Sequence, residues 1–255
     1  MSLLEARGIA VRRGERVVLD GVDLALEVGA RVAIVGANGS GKSTLLRALL
    51  GLEPAASGEV RLGGRALSAM SRPEIARAAT LVLQDTHVEV PITVRELVSL
   101  GRHPHRGVSD PARDRDAIAR AIARVEIEAL ADRDVRTLSG GELQRAHLAR
   151  ALAQDTPVVL LDEPTASLDL HHQLHTLATL RALAGEGRAV LVVLHDLALA
   201  ARWAERIVVL AAGRVRAEGA PDAVLTRAVI REAFGVEVRV ERVEGSLVVI
   251  PDGAA

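Results

Sequence analysis

The stretch Gly36-Ala37-Asn38-Gly39-Ser40-Gly41-Lys42-Ser43-Thr44 places four residues between Gly36 and the run Gly41-Lys42-Ser43. That spacing suits a loop wrapped around phosphate oxygens. Gly36, Gly39 and Gly41 let successive N–H groups, including those of Asn38, Ser40 and Thr44, turn inward. Lys42 then reaches the β and γ phosphates and the Ser43 hydroxyl ligates Mg²⁺. Of 32 Lys and Arg residues only Lys42 is a lysine. An ammonium is a compact charge on a thin stem, whereas a guanidinium is a broad fork that a tight backbone ring does not admit.

Two further groups of residues carry chemistry. "PVVLLDEP", residues 157–164, puts Asp162 and Glu163 at the carboxyl end of a buried strand, the edge where ligands of open parallel sheets bind. Asp162 is suited to hold Mg²⁺ directly or through water, and Glu163 to take a proton from the water that attacks a γ phosphate. In "LSGGELQRAHLARAL", residues 138–152, Ser139-Gly140-Gly141 precedes a helical pattern of Leu143, Ala146, Ala149 and Leu152. A hydroxyl before the bare N–H groups of a helix start is a second anion site. It lies about a hundred residues from the first, and one small ligand has no need of both.

Positioning these groups requires an α/β fold. Short apolar runs at 31–35, 80–83, 157–161, 189–194 and 207–210 read as buried parallel strands. "VLDGVDLALEVGA" reads as an edge strand or antiparallel pair and "SGEVRLGGRAL" as a hairpin arm, giving an antiparallel flank. Between Gln84 and about Ala153 helical periodicity takes over, at 93–100, 112–125 and 140–153, so a helical subdomain is expected at about 85–153 within an ATPase core of residues 1–235. The tail 236–255 alternates around Glu244-Gly245 as a closing β-hairpin packed on the same domain.

Composition narrows the partners. The chain has 255 residues, 49% of them hydrophobic, enough for a full core. A net charge of -1 with scattered basic residues argues against nucleic acid. The chain contains no cysteine, which removes disulfides and thiolate metal sites, and its apolar runs are far short of the roughly 20 residues of a membrane helix. With no signal-peptide pattern at the start, the cytosol is the expected compartment.

The set "GANGSGKST", Gln84, "LSGGE", "LLDEP", "SLD" at 167–169 and His195, in that order, resembles the nucleotide-binding subunits of ABC transporters over residues 3–235. The resemblance implies a phosphate-loop ATPase binding ATP and Mg²⁺, in which two copies pack head to tail. Ser139, Gly140 and Gly141 would then grip the γ phosphate of a nucleotide bound mainly by the other copy. It also implies that Gln84 approaches Mg²⁺ and the attacking water, and that His195 contacts the γ phosphate. The other seven histidines are expected at the surface or in interfaces. His171 and His175 lie four apart, a metal-ligand spacing, but they follow the "SLD" dimer motif and no acid or thiolate joins them.

The chain departs from the family where an aromatic usually stacks on adenine: Arg13 stands there, or Arg12 beside it, and a guanidinium plane can stack on a ring. "TVRELVSLGRHPHRG", residues 93–107, resembles the segment of ferric siderophore, haem and cobalamin importers that meets a membrane permease, with Leu97, Val98 and Leu100 as groove residues. The implied function is ATP-driven uptake at the cytoplasmic face of the membrane, with a permease and, indirectly, a substrate-binding protein as partners. A soluble ABC ATPase of repair, translation or cluster assembly is the alternative; repair and translation members usually carry coiled-coil inserts or two cassettes, which 255 residues do not accommodate.

Overall fold

Alternating buried and exposed side chains build two long strands at the start of the chain, β1 (Ser2–Arg13) and β2 (Arg16–Glu27), paired antiparallel. The stretch expected as an edge strand or a pair is thus one strand, and its partner is the N-terminal segment. β1 was hidden because its alternation slips between Ala6 and Ile9, so Leu4 and Ala6 precede, out of phase, Ile9 and Val11. The protein is known from a computed structural model that describes residues 1–83 and 89–254.

From β3 (Arg31–Val35) the chain passes through the glycine-rich loop into α1 (Lys42–Ala48). β4 (Ser57–Leu62) returns to pair with β1, followed by β5 (Arg65–Ala66), which completes a four-stranded antiparallel sheet in the order β2-β1-β4-β5. After α2 (Arg72–Ala78), capped by a Ser71–Glu74 box, comes β6 (Ala79–Val82). The described residues from 89 to 153 carry no named strand. They fold as α3 (Val94–Ser99), α4 (Pro111–Arg124) and α5 (Gly140–Ala153), each begun by an N-cap side chain, Thr93, Asp110 and Ser139.

Strands and helices then alternate: β7 (Val158–Asp162), α6 (Leu170–Gly185), β8 (Ala189–Val193), α7 (Leu197–Trp203), β9 (Arg206–Ala211) and β10 (Arg214–Gly219). The second sheet has the order β10-β9-β3-β8-β7-β6, parallel except for β10. Successive side chains of a strand face opposite sides, which divides the core in two. Ala33, Val35, Val190, Val192 and Leu161 face the helices, while Val32, Ile34, Leu191, Val193 and Leu160 face α1 and the antiparallel sheet. The chain closes with α8 (Pro221–Val224), α9 (Arg227–Phe234) and the hairpin β11 (Val236–Val243) and β12 (Ser246–Ala254), turning at Glu244-Gly245 with both residues at positive φ. Val238 anchors the hairpin in the main core.

Helices α3 and α5 correct two readings. Leu97 and Val98, expected in a docking groove, are fully buried in the core, and of the three only Leu100 is exposed, at 50%. With Val94 they form the i, i+3, i+4 face of α3 that packs on α4 and α5. His147, expected at the surface or an interface, is buried within α5. The 100–105 segment is tied to the C-terminal end of α5, because Arg102 donates to the Ala153 carbonyl at 2.8 Å and to Asp114 at 2.8 Å, and His105 Nε2 bonds the Gln154 carbonyl at 2.8 Å. A guanidinium donor such as that of Arg102 suits the carbonyls at a helix end.

The burial of α3 gives a direct expectation. Leu97→Ala should lower the unfolding free energy by about 3 kcal/mol through a core cavity, whereas Leu100→Ala should stay within about 0.5 kcal/mol. Urea unfolding of the two variants measures the difference; equal losses would contradict the assignment of α3 to the core.

Candidate phosphate-binding site

Three neighbouring strands, β3, β8 and β7, deliver their functional residues to one carboxyl edge of the parallel sheet. β3 leads into the loop 36–41, β8 into Leu194-His195 and β7 into Asp162-Glu163. The loop is closely built. A Cβ on Gly36 would stand 2.1 Å from the Leu210 carbonyl oxygen and 2.8 Å from Ser40 Oγ, so this position accepts only glycine. The Gly213 N–H donates to the Ser40 carbonyl at 3.1 Å, which ties the loop to the β9–β10 turn.

Lys42 is buried at the first turn of α1 and donates to the carbonyls of Gly36, at 2.9 Å, and Ala37, at 3.0 Å. Burial pulls its pKa down, against the opposing pull of Glu163 and Asp162. The compact ammonium therefore bridges the loop across its interior, consistent with the use of the chain's single lysine there.

Burial pushes the Asp162 carboxyl above its ordinary value, while the Ser43 hydroxyl and Lys42 beside it pull the other way. Asp162 Oδ1 is buried with no hydrogen-bond partner among the described residues. An orphaned carboxylate oxygen beside a serine hydroxyl is a hard oxygen pair that fits Mg²⁺. Glu163 sits at φ 52°, a left-handed conformation that L side chains adopt at some strain. Its N–H donates to the Val193 carbonyl at 3.2 Å, and its carboxylate Oε1 meets His195 Nε2 across the end of β8.

The result is an open cleft of about 620 Å³ lined by Arg13, Arg16, Val18, Asn38, Gly39, Gly41, Lys42, Ser43, Thr44, Glu163 and His195. Most of the residues singled out in the sequence therefore meet in one place, while Gly36, Ser40 and Asp162 are buried in the loop and strand end that carry it. Gln84 lies outside the described residues. Arg16 and Val18 were missed: they belong to β2, whose alternation signalled only a strand.

Ser139, Gly140 and Gly141 do not line this cleft. The Ser139 hydroxyl accepts from the Glu142 N–H at 3.3 Å and the Ser139 N–H donates to the Glu142 carboxylate at 2.7 Å, a capping box that holds the Glu142 carboxyl below its ordinary pKa. By helix geometry the Gly140 and Gly141 N–H groups have no intrahelical acceptor. A Cβ on Gly141 would stand 3.2 Å from the Ser167 carbonyl oxygen, so the start of α5 packs on the 167–169 loop. Between α6 and its surroundings, His172 Nδ1 bonds Asp169 at 2.8 Å and His175 Nε2 lies 3.4 Å from the Glu126 carboxylate, just after α4. No group of three or more potential metal ligands of the His, Cys, Asp or Glu type occurs among the described residues.

A phosphate loop, an acid pair and a histidine at adjacent strand ends define an ATPase cassette of the phosphate-loop class. Residues 19–166 match the model of the ABC transporter family. The hemin import ATP-binding protein HmuV of Streptomyces coelicolor is 46% identical, over 98% of this chain and 90% of its own length. The cobalamin import ATP-binding protein BtuD of Halobacterium salinarum is also 46% identical, over 97% of this chain, which spans 63% of that relative's length. The dimeric structure of a bacterial ABC transporter cassette superposes with a TM-score of 0.77 at 30% identity, covering 86% of this chain and 98% of that one. The chain belongs to the ABC transporter family, as an ATP-binding, ATP-hydrolysing cassette.

If the loop interior admits only a thin cation, charge alone does not suffice. Lys42→Arg should weaken MgATP binding by about tenfold or more, as expected where the two cations are not interchangeable. Titration with a fluorescent ATP analogue measures it, and wild-type affinity in this variant would contradict the geometry assigned to Lys42.

Proposed function

We propose that this chain is the ATP-binding subunit of an importer that takes up an iron complex, haem or a ferric siderophore, or cobalamin. The observation that carries the reading is the division of the phosphate-binding groups. A loop with Lys42, Glu163 and His195 lies in one cleft, while the Ser139-Gly140-Gly141 helix start lies outside it. Two copies packed head to tail bring each helix start to the other's cleft, and the dimeric cassette relative supports that arrangement. The cargo class rests on the names of the relatives, hemin and cobalamin import proteins.

Each residue then has a role. The N–H groups of 36–44, with Lys42, bind the β and γ phosphates of ATP. Ser43 and Asp162 hold Mg²⁺, joined by Gln84, and the ion supplies charge stabilisation on the phosphates. Glu163 orients the attacking water and takes its proton; His195, paired with Glu163, holds that carboxylate and contacts the γ phosphate. Ser139, Gly140 and Gly141 offer hydroxyl and N–H donors to the γ phosphate held by the partner copy. Arg13 lines the cleft and, as the resemblance implies, offers a guanidinium plane to the base.

The same reading makes residues 1–235 the ATPase domain, with a helical subdomain at about 85–153 and the hairpin 236–255 closing it. Among the described residues no helix is long and apolar enough to cross a membrane. In this reading the subunit is peripheral at the cytoplasmic face, docked on permease subunits that a substrate-binding protein serves from the other side. Val90, Leu100 and Val108 are exposed apolar residues around the segment that would meet the permease. No sequence feature favours a nucleic acid partner.

The test combines uptake with chemistry. The tagged chain should purify from host membranes with a polytopic protein, and cells should take up haem, a ferric siderophore or cobalamin in a manner that depends on this chain. Glu163→Gln should leave the complex intact, trap ATP and reduce turnover by about 10² or more, the usual size of a lost general base. A chain that purifies without any membrane protein, or a Glu163→Gln variant turning over within a few-fold of wild type, would contradict the proposal.

A further inference from the structure

α5 begins at the Ser139-Gly140-Gly141 start and ends at Ala153, with Gln154 as its C-cap. The Gln154 side chain leaves the helix and ends in hydrogen bonds at both atoms of its amide. Nε2 donates to the Ala76 carbonyl at 2.5 Å and to the Ala79 carbonyl at 3.2 Å, while Oε1 accepts from the Thr80 hydroxyl at 2.9 Å. Two carbonyl acceptors identify the nitrogen end of the amide and use both of its N–H groups.

These partners belong to the ATPase core. Ala76 lies in the last turn of α2, where a helix leaves its carbonyls without intrahelical donors, and Ala79 and Thr80 begin β6. Thr80 is buried and stands in register with Val159 of β7. The amide therefore fixes the end of α5 to the amino ends of β6 and β7, the sheet edge opposite the one that carries Asp162 and Glu163. The bonds from Arg102 and His105 to the same helix end come from the 100–105 segment, whereas those of Gln154 reach the parallel sheet.

Along its length α5 buries mostly small side chains, among them Ala146, Ala149, Ala151 and Ala153. Apolar burial is non-directional, so it holds the helix on the core without fixing its tilt. The capping box at the Ser139 end is internal to the helix. Over its 14 residues α5 runs about 20 Å, so a tilt of about 3° at Gln154 moves the Ser139 end by about 1 Å.

We propose that Gln154 is a positioning residue for the composite site: its amide fixes the core end of α5 and so sets the direction in which Ser139, Gly140 and Gly141 meet the γ phosphate held by the partner copy. The inference rests on the reading of that site as shared between two copies. A lesion at Gln154 then acts through the helix start of its own chain on the partner's nucleotide, and leaves its own cradle to work.

Mixed dimers of the full chain separate the two effects. One chain carries Lys42→Ala and supplies the helix start, the other carries Ser139→Arg and supplies the cradle, and both carry Glu163→Gln so that bound MgATP is trapped. Gln154→Met, which keeps the length of the side chain and removes the amide's bonds, is placed on one chain at a time. On the Lys42→Ala chain it should raise the MgATP concentration for half-maximal trapping by about tenfold, a modest part of the roughly 10² that a misplacement of about 1 Å costs. On the Ser139→Arg chain, whose helix start is already blocked, the change should stay below about twofold, the non-additivity of two lesions in one unit. Thr80→Val removes only the bond to Oε1 and should give the same one-sided loss at a smaller size; it carries the test if Gln154→Met does not fold.

An equal loss from either chain, the mark of a general loss of stability, would overturn the proposal, as would a loss confined to the Ser139→Arg chain or no loss in either. A parent mixture without Gln154→Met that traps no ATP, with protomer exchange verified by a label, would instead overturn the shared site on which the inference rests.

Discussion

A buried ammonium held by two carbonyl oxygens of its own loop is the interaction on which the cleft depends. Lys42 reaches back from the first turn of α1 to Gly36 and Ala37 and bridges the strand end to the helix start. Burial disfavours its charge, and two acids at the end of β7, Asp162 and Glu163, oppose that effect. The cation and the acids therefore need one another, and the register of β7 beside β8 and β8 beside β3 brings them together. Two hydrophobic layers hold that register from both faces of the sheet. Preorganised charge and N–H donors of this kind act on a developing phosphate charge without reorganising.

The second constraint is separation. The helix start at Ser139 carries anion-binding groups but lies outside the cleft lining, and it packs on the 167–169 loop through Gly141. Its hydroxyl is engaged in a capping box with Glu142, so the helix end is fixed in shape independently of any nucleotide. A rigid donor set displayed on one surface and a rigid cradle in another are halves that one chain leaves apart. Symmetric packing of two copies would join both pairs at once, which is the head-to-tail arrangement proposed above. The cap at the other end of α5, where Arg102 and His105 hold its last carbonyls, ties the same helix to the segment proposed to meet the permease.

Most of the cleft was legible in the sequence because its parts are local. Glycine and lysine spacing, an acid pair after an apolar run and a histidine after another are read within a few residues each. The parallel strands were legible for the same reason: each is a short, mostly apolar run. What escaped depends on residues far apart in the chain. β1 was obscured by a slipped register, and Arg16 and Val18 reach the cleft only because β2 runs past the phosphate loop. Leu97 and Val98 looked available for docking because an apolar helix face has the same spacing whether it meets a partner or its own core. The pairing of Arg13 with Glu53, 40 positions away, has no local signature at all.

The central claim is that a working site is assembled from two chains, and complementation of broken halves tests it most directly. Lys42→Ala spoils one chain's own cradle and Ser139→Arg blocks its helix start, so each homodimer should trap no ATP when Glu163→Gln is also present to stop turnover. On mixing, with protomer exchange verified by a label, about half the dimers should be mixed, and each should trap one ATP in the single composite site that is whole. If Ser139 served the nucleotide of its own chain, the mixed dimer would contain no intact site, and trapped ATP no greater than in the separate variants would contradict the account.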